Sequence, residues 1–338
     1  MGGLTARAYP VTHGRSSGAQ PMSHDDQVSQ FDVCSGGIAG RFFGPPDQPR
    51  GAVIVLGGSG GGIGWSGEVA AQLAVEGYAA LALAYFRWPG LTKHLAGVRL
   101  EYVADAIRWM QVEVVGAARP VTLVGASRGA ELALLAASTF SEVGAVIAVA
   151  PSSVLWEADW GFGTTGRAAW TYRGQALPGM NPRVWQRPAT ALRAMVSYAR
   201  RTPWRGTPAV LDVLRDAKAV ARAAIPVEKI RGPVLLVSGA DDQMWPSAAM
   251  GEDIRLRLEA AGHPFEVRHL SYDGAGHAVS ILRADSYATT ARHSITRMVY
   301  DLGGSESVNK TASESARTEA LRFLSRHVEQ QRSAGPRC

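Results

Sequence analysis

The stretch Val124-Gly-Ala-Ser-Arg-Gly-Ala-Glu-Leu-Ala-Leu-Leu135 decides how this chain is read. Ser127 stands between Gly125 and Gly129, after the apolar run Pro120-Val-Thr-Leu-Val124 and before an alanine- and leucine-rich run. On a strand–turn–helix path, Gly-x-Ser-x-Gly puts the serine on a sharp turn at the carboxyl edge of a sheet. The glycines remove side chains that would clash there. The hydroxyl is left exposed, and the next backbone N–H points to where an oxyanion would develop. The pattern also arises by chance in a chain with 38 glycines. A serine there can simply cap the helix that follows. The flanking sequence must supply a sheet, a base and an acid.

Working outward, apolar runs alternate with amphipathic ones. Strands are predicted over 52–58, 78–86, 120–125, 144–151, 233–239 and 265–272. Helices are predicted over 67–76, 99–112, 129–138, 248–261 and 319–330. Leu100, Val103, Ala104, Ile107 and Met110 share one face of the second helix. This rhythm predicts an α/β fold: a mostly parallel central sheet, right-handed crossovers, and helices on both faces. The stretch from about 156 to 224 breaks the rhythm and reads as a basic, Trp-rich cap insertion. It carries Trp156, Trp160, Trp170, Trp185 and Trp204.

A nucleophilic serine needs a base, and the base needs an orienting acid. On such folds they follow in the order Ser, Asp or Glu, His. The strand Pro233-Val-Leu-Leu-Val237 runs into Ser-Gly-Ala-Asp-Asp-Gln-Met-Trp-Pro246, so Asp241 and Asp242 both fit the acid. Asp242 is preferred because it lies past the turn glycine Gly239. The loop after the last strand, Tyr272-Asp-Gly-Ala-Gly-His277, offers His277 as base. Of the other histidines, His13 and His24 lie in the N-terminal stretch, and His269 lies within a strand pattern. His94 and His263 are out of order or near a helix end, and His293 and His327 fall in helical stretches. The second oxyanion N–H should come from the glycine loop 57–62, and Ser59 is chosen, together with Arg128.

Net charge is +6 and two cysteines, Cys34 and Cys338, are present. Two cysteines give no disulfide framework or metal cluster, which implies a reducing cytoplasm. No apolar stretch reaches the roughly 18 residues of a membrane span. The first residues have no apolar signal core and read as a polar, disordered tail. The positive charge is concentrated: 157–225 carries 11 Lys and Arg against 4 Asp and Glu. That surface could hold the phosphates of coenzyme A or an acidic carrier, or be a solvated face. Nucleic acid is not expected, because no aromatic–basic RNA motif or zinc spacing accompanies the charge. Gly62-Ile-Gly-Trp-Ser-Gly67 matches a dinucleotide fingerprint. It starts several residues after its strand, and the next strand ends Ala-Tyr-Phe-Arg87 with no acid for a ribose. No Lys-Ser or Lys-Thr follows the glycines, which excludes a P-loop. No cofactor or metal is expected.

Seven stretches together carry a family resemblance: VIVLGGSGGG, GYAALALAYF, RLEYVADAIRWM, VGASRGAELALLAAS, IPVEKIRGPVLLVSGADDQMWPS, YDGAGHAV and LGGSESVNKTASESARTEALRFLSRHV. The chain resembles an α/β-hydrolase. More narrowly, it resembles the catalytic domain of the acyl-CoA thioesterase and bile acid-CoA:amino acid N-acyltransferase family. The resemblance spans about 30 to 330. It implies that 303–318, which composition alone would make a linker, is ordered. Eukaryotic members carry a β-sandwich domain ahead of this one, and too little chain precedes Ala52 here for it. The stretch 156–224 matches least. The expected organisation is a disordered tail over 1–28, a hydrolase domain over 29–332 and a short tail over 333–338.

The resemblance also bears on the acceptor. Amino-acid-conjugating members have a cysteine nucleophile, and hydrolytic members have serine. An acyl-cysteine is a thioester that amines attack readily, whereas an acyl-serine is an oxygen ester better suited to attack by activated water. Ser127 therefore predicts hydrolysis of acyl-CoA or a carrier-bound acyl thioester. Transfer to an amine or hydroxyl, and ester or lactone hydrolysis of the dienelactone-hydrolase kind, are the alternatives on the same triad.

Overall fold

A computed structural model describes residues 28–116, 119–158, 166–181, 184, 187–284, 287–292 and 297–333. The expected tails fall largely outside these residues, as do Trp160 and Trp185. The chain opens with an edge hairpin, β1 (Ser29–Val33) and β2 (Ala39–Gly44), followed by β3 (Ala52–Leu56), α1 (Gly64–Val75) and β4 (Ala79–Ala84). Next come the short β5 (Val98–Arg99), α2 (Glu101–Met110), β6 (Val121–Ala126), α3 (Arg128–Ala137) and β7 (Val143–Val149).

The stretch between β7 and the next sheet strand stands outside the central sheet. It holds β8 (Trp170–Tyr172), β9 (Gln175–Ala176), α4 (Pro188–Arg200), α5 (Thr207–Val213) and α6 (Ala217–Ala223). The chain then returns through β10 (Val234–Gly239), α7 (Ser247–Ala260) and β11 (Val267–Tyr272). A small pair, β12 (Thr290–Arg292) and β13 (Val299–Asp301), precedes the long α8 (Glu306–Ser333).

The central sheet has eight strands in the order β1-β2-β4-β3-β6-β7-β10-β11. From β4 to β11 neighbours run parallel, and β1 and β2 add an antiparallel edge. The chain steps from β3 one way to β4 and then returns on the other side to β6. That reversal opens a crevice beyond the carboxyl ends of β3 and β6, where open α/β sheets bind ligands.

Strand residues divide between two cores with period two. Ile54, Leu56, Leu81, Leu83, Leu123 and Leu236 pack on one face with α2, α3 and α7. Val53, Val55, Ala80, Ala82, Val124 and Val237 pack on the other with α1 and α8. Each fully buried Leu, Ile or Val contributes about 1.5–3 kcal/mol, so this double face fixes the strand register. No described helix is long and apolar enough to cross a membrane.

Two predicted helix starts need correction, and one hairpin was not among the predicted strands. The edge hairpin β1–β2 was not foreseen: its strands are short and are broken by the turn Ser35-Gly36-Gly37. The first helix begins at Gly64, inside the dinucleotide-like match, so those glycines do not form that motif's loop. The last helix does not begin near 319 but at Glu306, so the polar run after Gly304, which the family resemblance implied to be ordered, is helical.

Candidate active site

The serine turn is dictated by contact. A Cβ at Gly125 would lie 2.1 Å from the Gly129 carbonyl oxygen, and one at Gly129 would lie 2.1 Å from that of Leu56. Only glycine lets α3 start this close to β3 and β6. Between them Ser127 is held at φ 55°, ψ −119°, a strained conformation for a residue with a side chain. Its N–H donates to Val149 O at 2.8 Å, which ties the turn to β7. The Ser127 side chain makes no cap hydrogen bond to α3. The capping alternative therefore does not describe it.

The hydroxyl faces His277 instead, with 3.1 Å between Ser127 Oγ and His277 Nε2. His277 Nδ1 is 2.8 Å from Asp242 Oδ2. A carboxylate only accepts, so Nδ1 carries the proton and Nε2 is left to accept from the serine. Asp242 is buried, and its Oδ1 accepts from the N–H groups of Met244 and Trp245 at 2.9 and 3.3 Å. The carboxylate is thus aimed by backbone. Asp241, the other candidate acid, does different work: its Oδ2 accepts from Gly304 N at 2.8 Å, which binds the acid loop to the start of α8.

Sequence reasoning missed the groups that hold the His277 loop. Asn309 on α8 is fully buried, and its Oδ1 accepts from Gly276 N at 2.7 Å. Ser313, one turn on, accepts from Ser280 N at 3.0 Å. His277 N itself donates to Leu302 O at 2.7 Å. These polar residues are why the inner face of α8 looked like a linker. The one available signal was the resemblance over 303–318.

Arg128 and Glu131, in the first turn of α3, are both buried. Glu131 Oε1 accepts from Trp170 Nε1 at 2.6 Å and from Trp156 N at 2.9 Å, and Oε2 lies 3.3 Å from Arg128 Nε. Arg128 Nη2 donates to Trp156 O at 3.0 Å, and its guanidinium lies over the Trp170 ring. Burial pushes the Glu131 carboxyl up from its ordinary value, opposed by Arg128 and then by the Trp170 and Trp156 N–H groups. The serine's helix is thereby bolted to the inserted stretch. Trp156 in turn stacks on Trp245, whose ring meets His277 edge-on.

Ser127 and His277 open onto a cavity of about 400 Å³. Its walls are mainly apolar, with Trp65, Met244, Val279, Leu282, Tyr287 and Leu302 among them. Two polar groups there are already engaged: Trp65 Nε1 donates to Ser280 Oγ, and the Tyr287 hydroxyl donates to Leu282 O. The glycine loop 57–62 forms part of the cavity wall, and Ser59 lies in it. That loop is rooted by the Tyr85 hydroxyl, which donates to Gly57 O, and by Arg87 Nη1, which donates to Gly60 O. As the first residue of α3, Arg128 has no intrahelical acceptor for its N–H.

A parallel sheet with an antiparallel edge and a serine elbow at its switch point define an α/β-hydrolase. Solved structures share that fold: a Pyrococcus furiosus esterase (TM-score 0.51, 14% identity, 91% of this chain and 97% of that one), and a dienelactone hydrolase-like promiscuous phosphotriesterase from metagenomic libraries (TM-score 0.50, 16% identity, 89% and 98%). The family model described as BAAT / Acyl-CoA thioester hydrolase C terminal matches residues 98–330, and the chain belongs to that family. Mouse peroxisomal succinyl-coenzyme A thioesterase is 27% identical over 307 residues, which cover 89% of this chain and 66% of that protein. Mouse acyl-coenzyme A thioesterase 1 is 28% identical over 253 residues, which cover 75% and 54%. The chain thus spans about two thirds or less of the length of these curated relatives.

Proposed function

We propose that the protein hydrolyses acyl thioesters, with acyl-CoA as the substrate class, through an acyl-enzyme on Ser127. The observation that carries this reading is the hydrogen-bond chain Ser127–His277–Asp242 on a strained elbow beside an apolar cavity. Family membership and the names of the relatives supply the thioester. In the cycle, His277 Nε2 takes the proton of the Ser127 hydroxyl. Asp242 holds the ring in position and stabilises the imidazolium. Ser127 Oγ attacks the thioester carbonyl. The developing oxyanion is met by the N–H groups of Ser59 and Arg128. The tetrahedral intermediate collapses, the C–S bond breaks, and His277 returns its proton to the leaving thiolate. Water, deprotonated by His277, then attacks the acyl-serine and releases the acid.

The stretch 156–224 acts in this reading as a cap over the sheet's carboxyl edge, and Arg128 and Glu131 join it to the nucleophile. The two-cysteine composition supports a cytoplasmic setting. The test is thiol release from a panel of acyl-CoA thioesters, with and without glycine or taurine, beside Ser127→Ala, with products identified by mass spectrometry. Free acid that is insensitive to amine and lost in the variant supports hydrolysis. An amide product means transfer, and full turnover by Ser127→Ala refutes the scheme.

A further inference from the structure

The stretch Arg187-Pro-Ala-Thr-Ala-Leu-Arg-Ala-Met-Val-Ser-Tyr-Ala-Arg-Arg-Thr-Pro-Trp-Arg205 holds five arginines and no acidic residue. Most of it is α4. Pro188 at the first turn starts the helix, and Arg201 ends it in the left-handed region. Helical spacing aligns Pro188, Ala189, Leu192, Met195, Val196 and Ala199 in one stripe. A buried helix would turn that stripe inward. Here only Ala194, on the opposite side, is buried. Leu192 is 58% exposed, Met195 53% and Val196 40%. Arg193 and Arg200 lie together along one border of the stripe, and with Arg201 they make no ion pair among the described residues.

We propose that α4 is a surface-docking helix for anionic phospholipid. A helix with an exposed apolar stripe, bordered on one side by arginines and opening on a cleft shared with α5, matches the interface of a bilayer: the stripe enters the acyl boundary and the guanidiniums meet phosphates. Charge argues against other occupants. A second copy would set arginine against arginine. Residues 1–27 carry two arginines and two aspartates, so they offer no complementary charge.

The segment that follows α4 is tied to the Asp242 loop. Trp204 N donates to Val299 O at 2.8 Å, Gly206 N to Gln243 O at 2.8 Å, and the Thr207 hydroxyl to Asp242 O at 2.8 Å. A docked α4 would hold the cavity near a surface where acyl amphiphiles collect. That purpose rests on the thioesterase reading, but the docking itself does not.

The test is co-sedimentation of the full chain with phosphatidylcholine vesicles, with and without phosphatidylglycerol. Expected is binding that needs phosphatidylglycerol and weakens with salt. Arg193→Glu with Arg200→Glu should lower partitioning roughly thirtyfold or more, and Leu192→Glu with Met195→Glu should abolish it. Far-UV circular dichroism and release of thiol from a water-soluble short-chain thioester should stay at the wild-type level in both pairs. No binding, equal binding to neutral vesicles, or indifference to both pairs overturns the proposal. So does concentration-dependent dimerisation through this face. Vesicle binding with no thiol release from any thioester would instead sink the functional reading and leave the docking intact.

Discussion

Among the described residues two Ser–His–carboxylate chains stand in different surroundings. In the first, Ser127, His277 and Asp242 are linked at 3.1 and 2.8 Å. In the second, Ser238 on β10 is 2.7 Å from His269 Nε2 on β11, and His269 Nδ1 is 3.3 Å from Glu252 on α7. Residue types and distances nearly coincide, but the surroundings do not. Ser127 sits on a left-handed elbow facing a cavity, with its carboxylate buried and aimed by two backbone N–H groups. Ser238 sits within a strand with no exposed surface. A Cβ at Gly251 would fall 2.6 Å from His269 Nε2, so no substrate could enter. Glu252 is 46% exposed and shared with Arg255. The two chains therefore differ in access, backbone strain and the setting of the carboxylate rather than in their three side chains.

The largest expected difference between the two chains is in turnover. Ser127→Ala and Asp242→Asn should each lower kcat by roughly four orders of magnitude, because the nucleophile and the tautomer-fixing acid act as a unit. Ser238→Ala should leave kcat within about twofold of wild type. A fluorophosphonate should label Ser127 and leave Ser238 unlabelled, as read by peptide mass spectrometry. Labelling at Ser238 would break the contrast.

The next effect concerns what anchors the helix behind Ser127. Glu131→Ala removes the acceptor of Trp170 Nε1 and Trp156 N and leaves the Arg128 guanidinium buried with no carboxylate beside it. A cost of about 3–5 kcal/mol is expected, read from denaturant unfolding, and Glu131→Gln should recover part of it. Ser238→Ala removes one hydrogen bond in a buried setting and should cost about 1 kcal/mol. An equal cost for both would mean that α3 is not specially braced.

How much of this could be read from the sequence follows from the same contrast. Ser127, Asp242 and His277 were legible because each lies in a loop at a strand end, in glycine-marked context and in fixed order. The second chain was not, since His269 and Ser238 meet only through the pairing of β10 with β11. Asn309 and Ser313 were hidden for a related reason. A polar helix face looks solvated until a loop such as 274–280 is seen to need its acceptors. The existence of the central sheet's strands from β3 to β11, and their parallel pairing, follow from alternating apolar runs. The β1–β2 edge does not, because short strands around a glycine turn carry little periodicity.

The smallest effect is a pH dependence confined to the buried chain. Hydrogen bonding from Arg255, and then from His269, holds the Glu252 carboxyl at about 2. Its stabilising share is therefore present above the ordinary value of 4.5 and is lost as pH falls toward 2. Its exposure screens that share to a small one. His269 is shifted down by burial, against the pull of Glu252. Protonating it favours the unfolded chain, so its share is present above 6.5 and fades as pH falls below. Glu252→Gln removes that pull. The His269 ring should then titrate at lower pH by NMR, and thermal stability should fall more steeply just below 6.5 while its decline below 4.5 becomes shallower. Turnover of Ser127 with a soluble thioester should not follow either change, because neither group touches the cavity. A shift in the kcat profile on this substitution would show that the two chains are coupled across β10.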